Sequence, residues 1–186
     1  LGKIENAGYR MLNMIDLSLD LAKMERGAYE ATPVKIDVNR ALDQVLGDLE
    51  TLRRVKDIDI DISIDGDSAS HELVFAYGEE LLLQSVLSNL LKNAMEASPE
   101  QETVTVKMKP GNPVEIRLRN TGAVPEEMRD RFFEKYASSG KSHGTGLGTY
   151  SARMMVDAMG GSIKLDTTEQ DTTSVVVTLP AGQPKI

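Results

Sequence analysis

The sequence GKSHGTGLGTYSARMMVDAMGG covers residues 140–161 and contains Gly-Thr-Gly-Leu-Gly at residues 144–148. Three glycines within five residues lose much conformational freedom on folding, so such a run usually serves a purpose beyond connection. Residues 149–159 carry apolar side chains at helical spacing, and Gly160 and Gly161 predict the end of that helix. A glycine-rich turn that leads into a helix start aims backbone N–H groups at one point, and this arrangement suits a phosphate.

Two common phosphate-binding motifs do not match this stretch. Residues Gly140, Lys141 and Ser142 resemble the end of a P-loop, but the opening glycine of that motif falls on Lys135. A dinucleotide-binding fingerprint fails as well, because Thr149 stands at its third glycine and no strand clearly precedes the run. From the run alone, a flexible surface loop stays an alternative to a phosphate site.

The composition restricts the class of protein. The chain has 186 residues, a formal net charge of −8 and no cysteine. The acidic balance argues against a broad surface for nucleic acid or for an anionic membrane. Without cysteine there is neither a disulfide framework nor a Cys-based metal site. No apolar run approaches the length that crosses a bilayer, which favours a soluble, cytoplasmic protein. Because the chain opens on Leu1 rather than Met, we expect a fragment of a longer protein.

The hydrophobic periodicity predicts a mixture of helices and strands. Predicted helices cover residues 2–26, 79–97, 125–133 and 149–159, with another from a cap at Asp37 or Asn39 to about residue 56. Predicted strands cover residues 34–37, 58–64, 72–77, 103–109, 114–119, 162–165 and 174–179. Because the elements do not alternate regularly, an α+β two-layer sandwich is favoured. The first helix has an apolar stripe too wide for a lone surface helix, so it pairs with other helices or packs on its own domain.

Two asparagines interrupt the apolar pattern of the predicted helix 79–97. Asn89 and Asn93 stand four residues apart, so both amides leave the helix on the same side. Asparagine is a poor residue for the middle of a helix because its side chain competes with the backbone for hydrogen bonds. The pair therefore predicts either a ligand or an internal polar network. Residues 136–143 are small and polar, which is the composition of a mobile lid over a site.

The order of the motifs resembles the ATP-binding domain of bacterial sensor histidine kinases. The matching residues are Asn89 and Asn93, Asn120 and Gly122, Phe132 and Phe133, and Lys141 followed by Gly144, Thr145, Gly146, Leu147 and Gly148. These kinases share their nucleotide fold with gyrase, heat-shock chaperone and mismatch-repair ATPases. The resemblance implies this Bergerat ATP-binding fold, a mixed sheet covered on one face by helices, for residues 31–186. It also implies that residues 1–30 are part of the second helix of a dimerisation hairpin.

The resemblance implies a role for each matching position. Asn93 matches the family's Mg²⁺ ligand, Asn89 is its partner in the same box, and Lys141 lies where a lysine meets the terminal phosphate. The implied ATP-binding residues are Asn89, Asn93, Asn120, Gly122, Lys141, Gly144, Thr145, Gly146, Leu147, Gly148 and Thr173. Phe132 and Phe133 fall in the family's F box, although each taken separately also fits an ordinary core aromatic.

Three positions depart from the family's pattern. Most relatives have Asp where this chain has Asn120, and there the carboxylate accepts a hydrogen bond from the adenine amine. An amide oxygen also accepts, but the bond is no longer charge-assisted and is weaker by about 1 kcal/mol. Val124 replaces a second glycine of the same box, and Thr149 replaces a leucine after the glycine run. These departures bear on ATP affinity more than on the fold.

The chemistry implied is phosphoryl transfer to a histidine. Hydrolytic relatives have a water-activating glutamate at the position of Asn89, and an amide cannot act as that general base. Neither His71 nor His143 lies in an amphipathic helix beside an acid, so both fit exposed loop residues. We therefore expect the acceptor histidine on a helix upstream of residue 1 or on another chain, with a response regulator receiving the phosphoryl group. The full-length protein is expected to be a homodimer.

Two other hypotheses about the function stay open at this point. One is a degenerate module that holds little or no nucleotide and mainly docks a response regulator, as Asn120 and Val124 would favour. The other is a hydrolytic ATPase of the same superfamily, which would release phosphate without any acceptor helix.

Overall fold

The computed structural model describes residues 18–68, 72–137 and 146–182. The chain divides into two compact units, Leu1–Glu30 and Ala31–Ile186. In the first unit residues 18–25 form a helix, α1, which confirms the described part of the predicted first helix; residues 2–17 lie outside the described residues. The helix stops at Gly27, which has φ +66° and donates its N–H to the Met24 carbonyl at 3.0 Å.

A five-stranded mixed sheet forms the centre of the second unit. The strands lie in the order β2 (Asp59–Ile64), β4 (Thr103–Lys109), β5 (Val114–Thr121), β7 (Thr172–Leu179) and β6 (Ser162–Asp166). Only the β2–β4 pair is parallel among the described strands, and the other pairs are antiparallel. Two further strands, β1 (Val34–Asp37) and β3 (Phe75–Gly78), form a separate antiparallel pair.

Helices cover one face of this sheet. They are α2 (Val38–Lys56), α3 (Glu80–Ala97) and α5 (Gly148–Ala158), whereas the short α4 (Glu126–Arg129), which follows β5 in the chain, has no buried residue. Helix α3 packs between α2 and α5, and both α3 and α5 contact the sheet. The largest buried side chains of this layer include Leu83, Leu87 and Leu91 of α3 with Met155 of α5.

The alternation along β5 shows which face is covered. Val114, Ile116 and Leu118 are buried, whereas Arg117 and Arg119, each directly after a buried residue, are partly exposed. The period of two places the apolar side chains under the helices and the charged ones on the open face. The α+β two-layer sandwich predicted from the sequence is therefore confirmed, with a mixed sheet covered on one face by helices.

The predicted elements differ from the observed ones mainly at their ends. Helix α2 is capped by Asp37, whose side chain accepts the Arg40 N–H at 3.1 Å. Asn39, the other candidate cap, instead accepts the Val74 N–H at 2.8 Å and donates to the Glu72 carbonyl at 3.1 Å. Because the Asn39 side chain occupies the Glu72 carbonyl and the Val74 N–H, these backbone groups do not pair with a strand. The strand predicted over 72–77 therefore begins only at Phe75.

Three other elements were predicted too long or too short. The helix predicted over residues 125–133 is helical only as Glu126–Arg129, with Pro125 as its N-cap, and turns follow it. Strands β5 and β7 each extend two residues beyond the prediction, because Asn120 pairs with Thr173 and Thr121 with Thr172. The extra pairs matter because they bring two predicted site residues side by side.

Candidate functional site

The asparagine pair of α3 lies against the start of α5. A Cβ built on Gly148 would be 3.4 Å from Asn93 Nδ2 and 3.8 Å from Asn89 Oδ1. Gly148 is the first residue of α5, and the N-cap residue Leu147 makes no side-chain hydrogen bond to this helix start. The first N–H groups of a helix lack intrahelical acceptors and lie at its positive end, so they attract anions. The structure thus brings together the two segments that the sequence predicts to share a ligand.

Ser151 holds Asn89 in place, although no motif in the sequence identifies it. Asn89 Nδ2 donates to Ser151 Oγ at 3.1 Å, and Ser151 Oγ donates to the Gly148 carbonyl at 3.0 Å. Ser151 is buried within the first turn of α5. The Asn89 amide nitrogen is engaged here and no described residue donates a hydrogen bond to its Oδ1, so Asn89 can accept a hydrogen bond or coordinate through that oxygen. An internal polar network therefore exists, and it leaves acceptor groups available.

Gly146 occupies a place that no other residue type fits. It has φ +64°, and a Cβ there would lie 2.6 Å from the Tyr136 carbonyl carbon. The Gly146 carbonyl accepts the Tyr136 N–H at 3.0 Å. A side chain at this position would meet both the cost of left-handed backbone and a backbone clash. The hydrogen bond fixes the segment after α4 to the turn before α5.

Thr149 provides a second tie between the same two segments. Its Oγ1 donates to the Phe132 carbonyl at 2.7 Å, and the residue is buried. Phe132 and Phe133 contact each other edge to face with ring centroids 5.0 Å apart. The residue that departs from the resembled pattern after the glycine run therefore has a structural role, since its hydroxyl anchors the phenylalanine pair.

The other predicted group of residues lies at the end of β5 and in the facing strand. Asn120 is 5% exposed and donates its Nδ2 to the Thr121 carbonyl at 2.9 Å, which leaves Oδ1 as an acceptor. Thr173 Oγ1 donates to the Gly122 carbonyl at 2.6 Å. Gly122 has φ +118° and donates its N–H to the Asp171 carbonyl at 2.8 Å. Asn120, Gly122 and Thr173 thus form one cluster on the helix-covered face.

The C-terminal end of α3 connects the two groups. A Cβ on Gly122 would lie 3.0 Å from the Ala97 carbonyl oxygen, and Ala97 is the last residue of α3, one turn after Asn93. The site residues described therefore extend along α3 from the start of α5 to the end of β5. Gly146, Leu147 and Gly148 lie at the first end and Asn120, Gly122 and Thr173 at the other.

Three predicted site residues, Lys141, Gly144 and Thr145, lie outside the described residues. The same holds for both histidines, His71 and His143, and for most of the predicted lid.

The amide oxygens of Asn89 and Asn93 on α3 suit a hard cation whose other ligands come from a phosphate and water. In the described part of the chain the half-buried Asn93 side chain makes no hydrogen bond, so its amide is available to a ligand. Within that same part no cluster of three or more His, Cys, Asp or Glu residues could hold a metal by itself. One or two amide oxygens with oxygens from a phosphate and water is a shell that suits Mg²⁺.

A separate polar cavity of about 460 Å³ lies on the open face of the sheet. Arg117 and Arg119 line it and pair with Asp166 (2.8 Å) and Glu169. Hydrogen bonds from Thr168 and Arg117 lower the pKa of Asp166 from 3.8 to about 2. The Arg119–Glu169 bond lowers the pKa of Glu169 and raises that of Arg119. None of the predicted site residues that the structure describes lines this cavity, so it is distinct from the site formed by those residues.

No helix among the described residues is long and apolar enough to cross a membrane.

The family model of histidine kinase-, DNA gyrase B- and HSP90-like ATPases matches residues 78–183. The signal transduction histidine-protein kinase BarA of Escherichia coli (strain K12) is 28% identical over 174 residues, which cover 88% of this chain and 18% of BarA. The sensor histidine kinase WalK of Bacillus subtilis (strain 168) is 26% identical over 193 residues, which cover 95% of this chain and 29% of WalK. The chain thus spans less than a third of the length of these relatives.

Solved structures share the fold at lower identity. The nucleotide-free catalytic domain of histidine kinase ThkA superposes with a TM-score of 0.69 at 23% identity, covering 81% of this chain and 98% of that domain. Full-length ShkA in complex with AMPPNP gives a TM-score of 0.74 at 21% identity, covering all of this chain (100%) and 39% of ShkA.

Proposed function

Because the chain belongs to the family of histidine kinase-, DNA gyrase B- and HSP90-like ATPases, we propose that residues 31–186 are the ATP-binding catalytic part of a sensor histidine kinase. In this proposal the chain binds Mg²⁺-ATP and transfers the γ-phosphoryl group to a histidine on a helix outside residues 1–186. The observation that carries the proposal is the approach of the Asn89–Asn93 pair to the start of α5 at Gly148.

The α5 start binds and orients the phosphates in this proposal. Backbone N–H groups at residues 146–148 donate to phosphate oxygens, and Gly148 lets them approach because it has no side chain. Asn93 Oδ1 is the protein ligand of Mg²⁺, which would neutralise phosphate charge when it is bound. Lys141, Gly144 and Thr145 belong to the same phosphate-binding segment and provide a cation and further donors.

The cluster at the end of β5 recognises the base. Asn120 Oδ1 is the acceptor that faces the adenine amine, because Asn120 Nδ2 is engaged with the Thr121 carbonyl. Thr173 and Gly122, held together at 2.6 Å, form the adjoining wall. Adenine at Asn120 and phosphates at Gly148 place the nucleotide along α3, in the direction from Ala97 to Asn89.

Transfer to histidine is favoured over hydrolysis by the chemistry of Asn89. A general base must accept a proton near neutral pH, and neither an amide nor the Ser151 hydroxyl it contacts does so. In the proposed reaction a ring nitrogen of the acceptor forms a bond to the γ-phosphorus, the bond from that phosphorus to the bridging oxygen breaks, and ADP leaves. This chain contributes positioning and charge stabilisation rather than a base.

The remaining parts of the proposal concern the longer protein. Residues 1–30 are part of the second helix of a dimerisation hairpin, and the upstream helix carries the acceptor histidine. The full-length protein forms a homodimer, works in the cytoplasm and passes the phosphoryl group to the receiver domain of a response regulator. The amphipathic pattern of the first helix supports the hairpin, since its stripe is wide enough for several helical neighbours.

Titration with trinitrophenyl-ATP, with and without Mg²⁺, tests the binding step. We expect saturable binding that Mg²⁺ strengthens, and Asn93→Ala should remove most of the Mg²⁺ dependence. Asn112→Ala is a matched control, because Asn112 is exposed in the turn between β4 and β5. Failure of the unmodified chain to bind at all would leave only the response-regulator docking module.

A longer chain that includes the upstream helix tests the transfer step. Incubation with radiolabelled ATP should give an acid-labile, base-stable phosphohistidine, and Asn93→Ala should abolish it. Steady release of inorganic phosphate by residues 1–186 alone, lost in Asn93→Ala, would instead support a hydrolytic ATPase.

A further inference from the structure

Lys56 connects α2 to the carboxyl end of α3, and the sequence pattern does not single it out. Its Nζ donates to three carbonyl oxygens, those of Met95 at 3.0 Å, Glu96 at 3.1 Å and Ser98 at 2.8 Å. An ammonium group has three N–H donors, so all of them are used on one helix end. Lys56 is half-buried, at the last position of α2.

These bonds complete the hydrogen bonding at the end of α3. The last four carbonyls of a helix have no intrahelical donors. The Ala94 carbonyl accepts from Ser98 N at 3.0 Å and Ser98 Oγ at 2.9 Å, and Lys56 serves the next two carbonyls. A cation at the negative end of the helix dipole is also favourable. The last residue, Ala97, points its carbonyl oxygen at Gly122 instead.

The position of Ala97 decides how far Asn93 lies from Gly122. A Cβ on Gly122 would be only 3.0 Å from the Ala97 oxygen, so the two backbones are in close contact. Asn93 is one turn before Ala97 on the same helix, and Gly122 follows Asn120 at the end of β5. Any shift of the α3 end therefore changes the spacing between the two halves of the candidate site.

A second set of bonds links the same corner to β5. Asp57, next to Lys56, accepts the Gln101 N–H at its carbonyl at 3.0 Å and the Gln101 Nε2 at its carboxylate at 3.2 Å. Glu102 accepts from Thr121 Oγ1 at 3.0 Å. The loop between α3 and β4 is thus fixed to the end of α2 on one side and, through Thr121, to the residue before Gly122 on the other.

From this geometry we infer that Lys56 is a positioning residue for the nucleotide site, acting through the carbonyls of α3. Lys56 comes from a helix that carries none of the proposed ligands and fixes the end of the helix that carries two of them. Its side chain sets the spacing between Asn93 and Gly122 and so the spacing between the phosphate-binding and base-binding halves. The inference rests on the proposed function only where it refers to nucleotide.

Lys56→Met tests the inference, because methionine has an unbranched side chain only one heavy atom shorter than that of lysine and removes all three donors. We expect the variant to bind trinitrophenyl-ATP with Mg²⁺ about tenfold more weakly, since carbonyls left without donors shift the α3 end. Nuclear magnetic resonance of the nucleotide-free chain should show displaced signals for the Gly122 backbone amide and the Asn93 side-chain amide. Both measurements are made at temperatures at which circular dichroism shows a folded chain.

Arg54→Met is the matched control. Arg54 lies two residues earlier in the same last turn of α2, its side chain is 77% exposed, and its ion pair is to Glu50 of its own helix. The control should keep the affinity within about twofold and leave both amide signals in place. A Lys56→Met chain with unchanged amide signals, or with affinity within about twofold of the unmodified chain, overturns the inference.

The two proposals fail in different ways. If the unmodified chain binds no nucleotide, the proposed function fails. The Gly122 and Asn93 amide signals of the nucleotide-free chain still show whether Lys56 sets the spacing between these two residues. If Lys56→Met does not fold, Lys56→Arg replaces it, because a planar guanidinium keeps the charge but cannot direct donors to three divergent carbonyls. We then expect the same signals to move and the affinity to fall by about threefold, and unmoved signals overturn the inference.

Discussion

At Gly148, a single added methyl group is expected to change stability and nucleotide binding in opposite directions. Gly148 begins α5 and does not have left-handed backbone, so alanine fits its conformation. The new Cβ would meet Asn93 Nδ2 at 3.4 Å and Asn89 Oδ1 at 3.8 Å, which are van der Waals distances rather than clashes. Because alanine loses less conformational entropy than glycine on folding, Gly148→Ala should raise the free energy of unfolding by about 0.5 kcal/mol.

The same methyl group lies in the space assigned to the phosphates. It would stand between the amides at the start of α5 and the asparagine pair, so a phosphate oxygen could not reach both. Loss of one charge-assisted hydrogen bond is worth about 1.5–3 kcal/mol. The affinity for Mg²⁺-ATP should therefore fall by about tenfold to a hundredfold.

Urea unfolding and a trinitrophenyl-ATP titration of the same variant measure the two effects. Gly47→Ala is the matched control, since Gly47 lies within α2 and a Cβ there meets no described atom within 4 Å. The control should gain up to about 1 kcal/mol of stability and bind nucleotide normally. If Gly148→Ala binds as tightly as the control, phosphate does not lie between α5 and the asparagine pair, and the proposed site is wrong.

Two further predictions concern the base-binding cluster and the open face. Asn120→Asp should bind ATP about fivefold more tightly, because the hydrogen-bond acceptor becomes charged. The variant should also lose about 1 kcal/mol of stability, because it buries a carboxylate beside the Thr121 carbonyl to which Asn120 Nδ2 donates in the unmodified chain. An ATP titration and urea unfolding measure the two effects, and an unchanged affinity argues against adenine at this position. Asp166→Asn should lower the free energy of unfolding by about 1 kcal/mol at neutral pH. The reason is that folding lowers the pKa of Asp166 from 3.8 to about 2, so the charged carboxylate stabilises the folded chain above about pH 4. The difference between the two proteins in urea unfolding should shrink as pH falls from about 4 towards 2, and a difference that stays constant contradicts the assigned ion pair.

The sequence predicted the fold well where side-chain periodicity alone decides the structure. Strand β4 and strand β1 begin and end at the predicted residues, and α3 starts one residue after the predicted position. In each case a run of apolar residues with one period is bounded by turn or capping residues. One error arose where a side chain from elsewhere in the chain competes, as Asn39 does for the backbone of residues 72–74, and another where long-range pairing lengthens β5 and β7.

The candidate site could be predicted only as a set of residue types. The spacing of Asn89 and Asn93 predicted that both amides share a side, and the glycine run predicted a helix start, but nothing local said that they meet at Gly148. The contacts that maintain this arrangement are long-range, such as Ser151 to Asn89 and Lys56 to the end of α3. Serine and lysine are common on helix surfaces, so only the packing of α2, α3 and α5 distinguishes these two.

The acidic residues of β2 bear on how copies of this chain behave at high concentration. This strand is an outer member of the five-stranded sheet, and its exposed positions include Asp59 and Asp61. An outer strand leaves hydrogen-bonding groups open to pairing with another molecule. Two copies joined through β2 would bring carboxylates into neighbouring rows, where like charges repel. At neutral pH the negative charges of these aspartates therefore disfavour edge-to-edge association of two copies through β2.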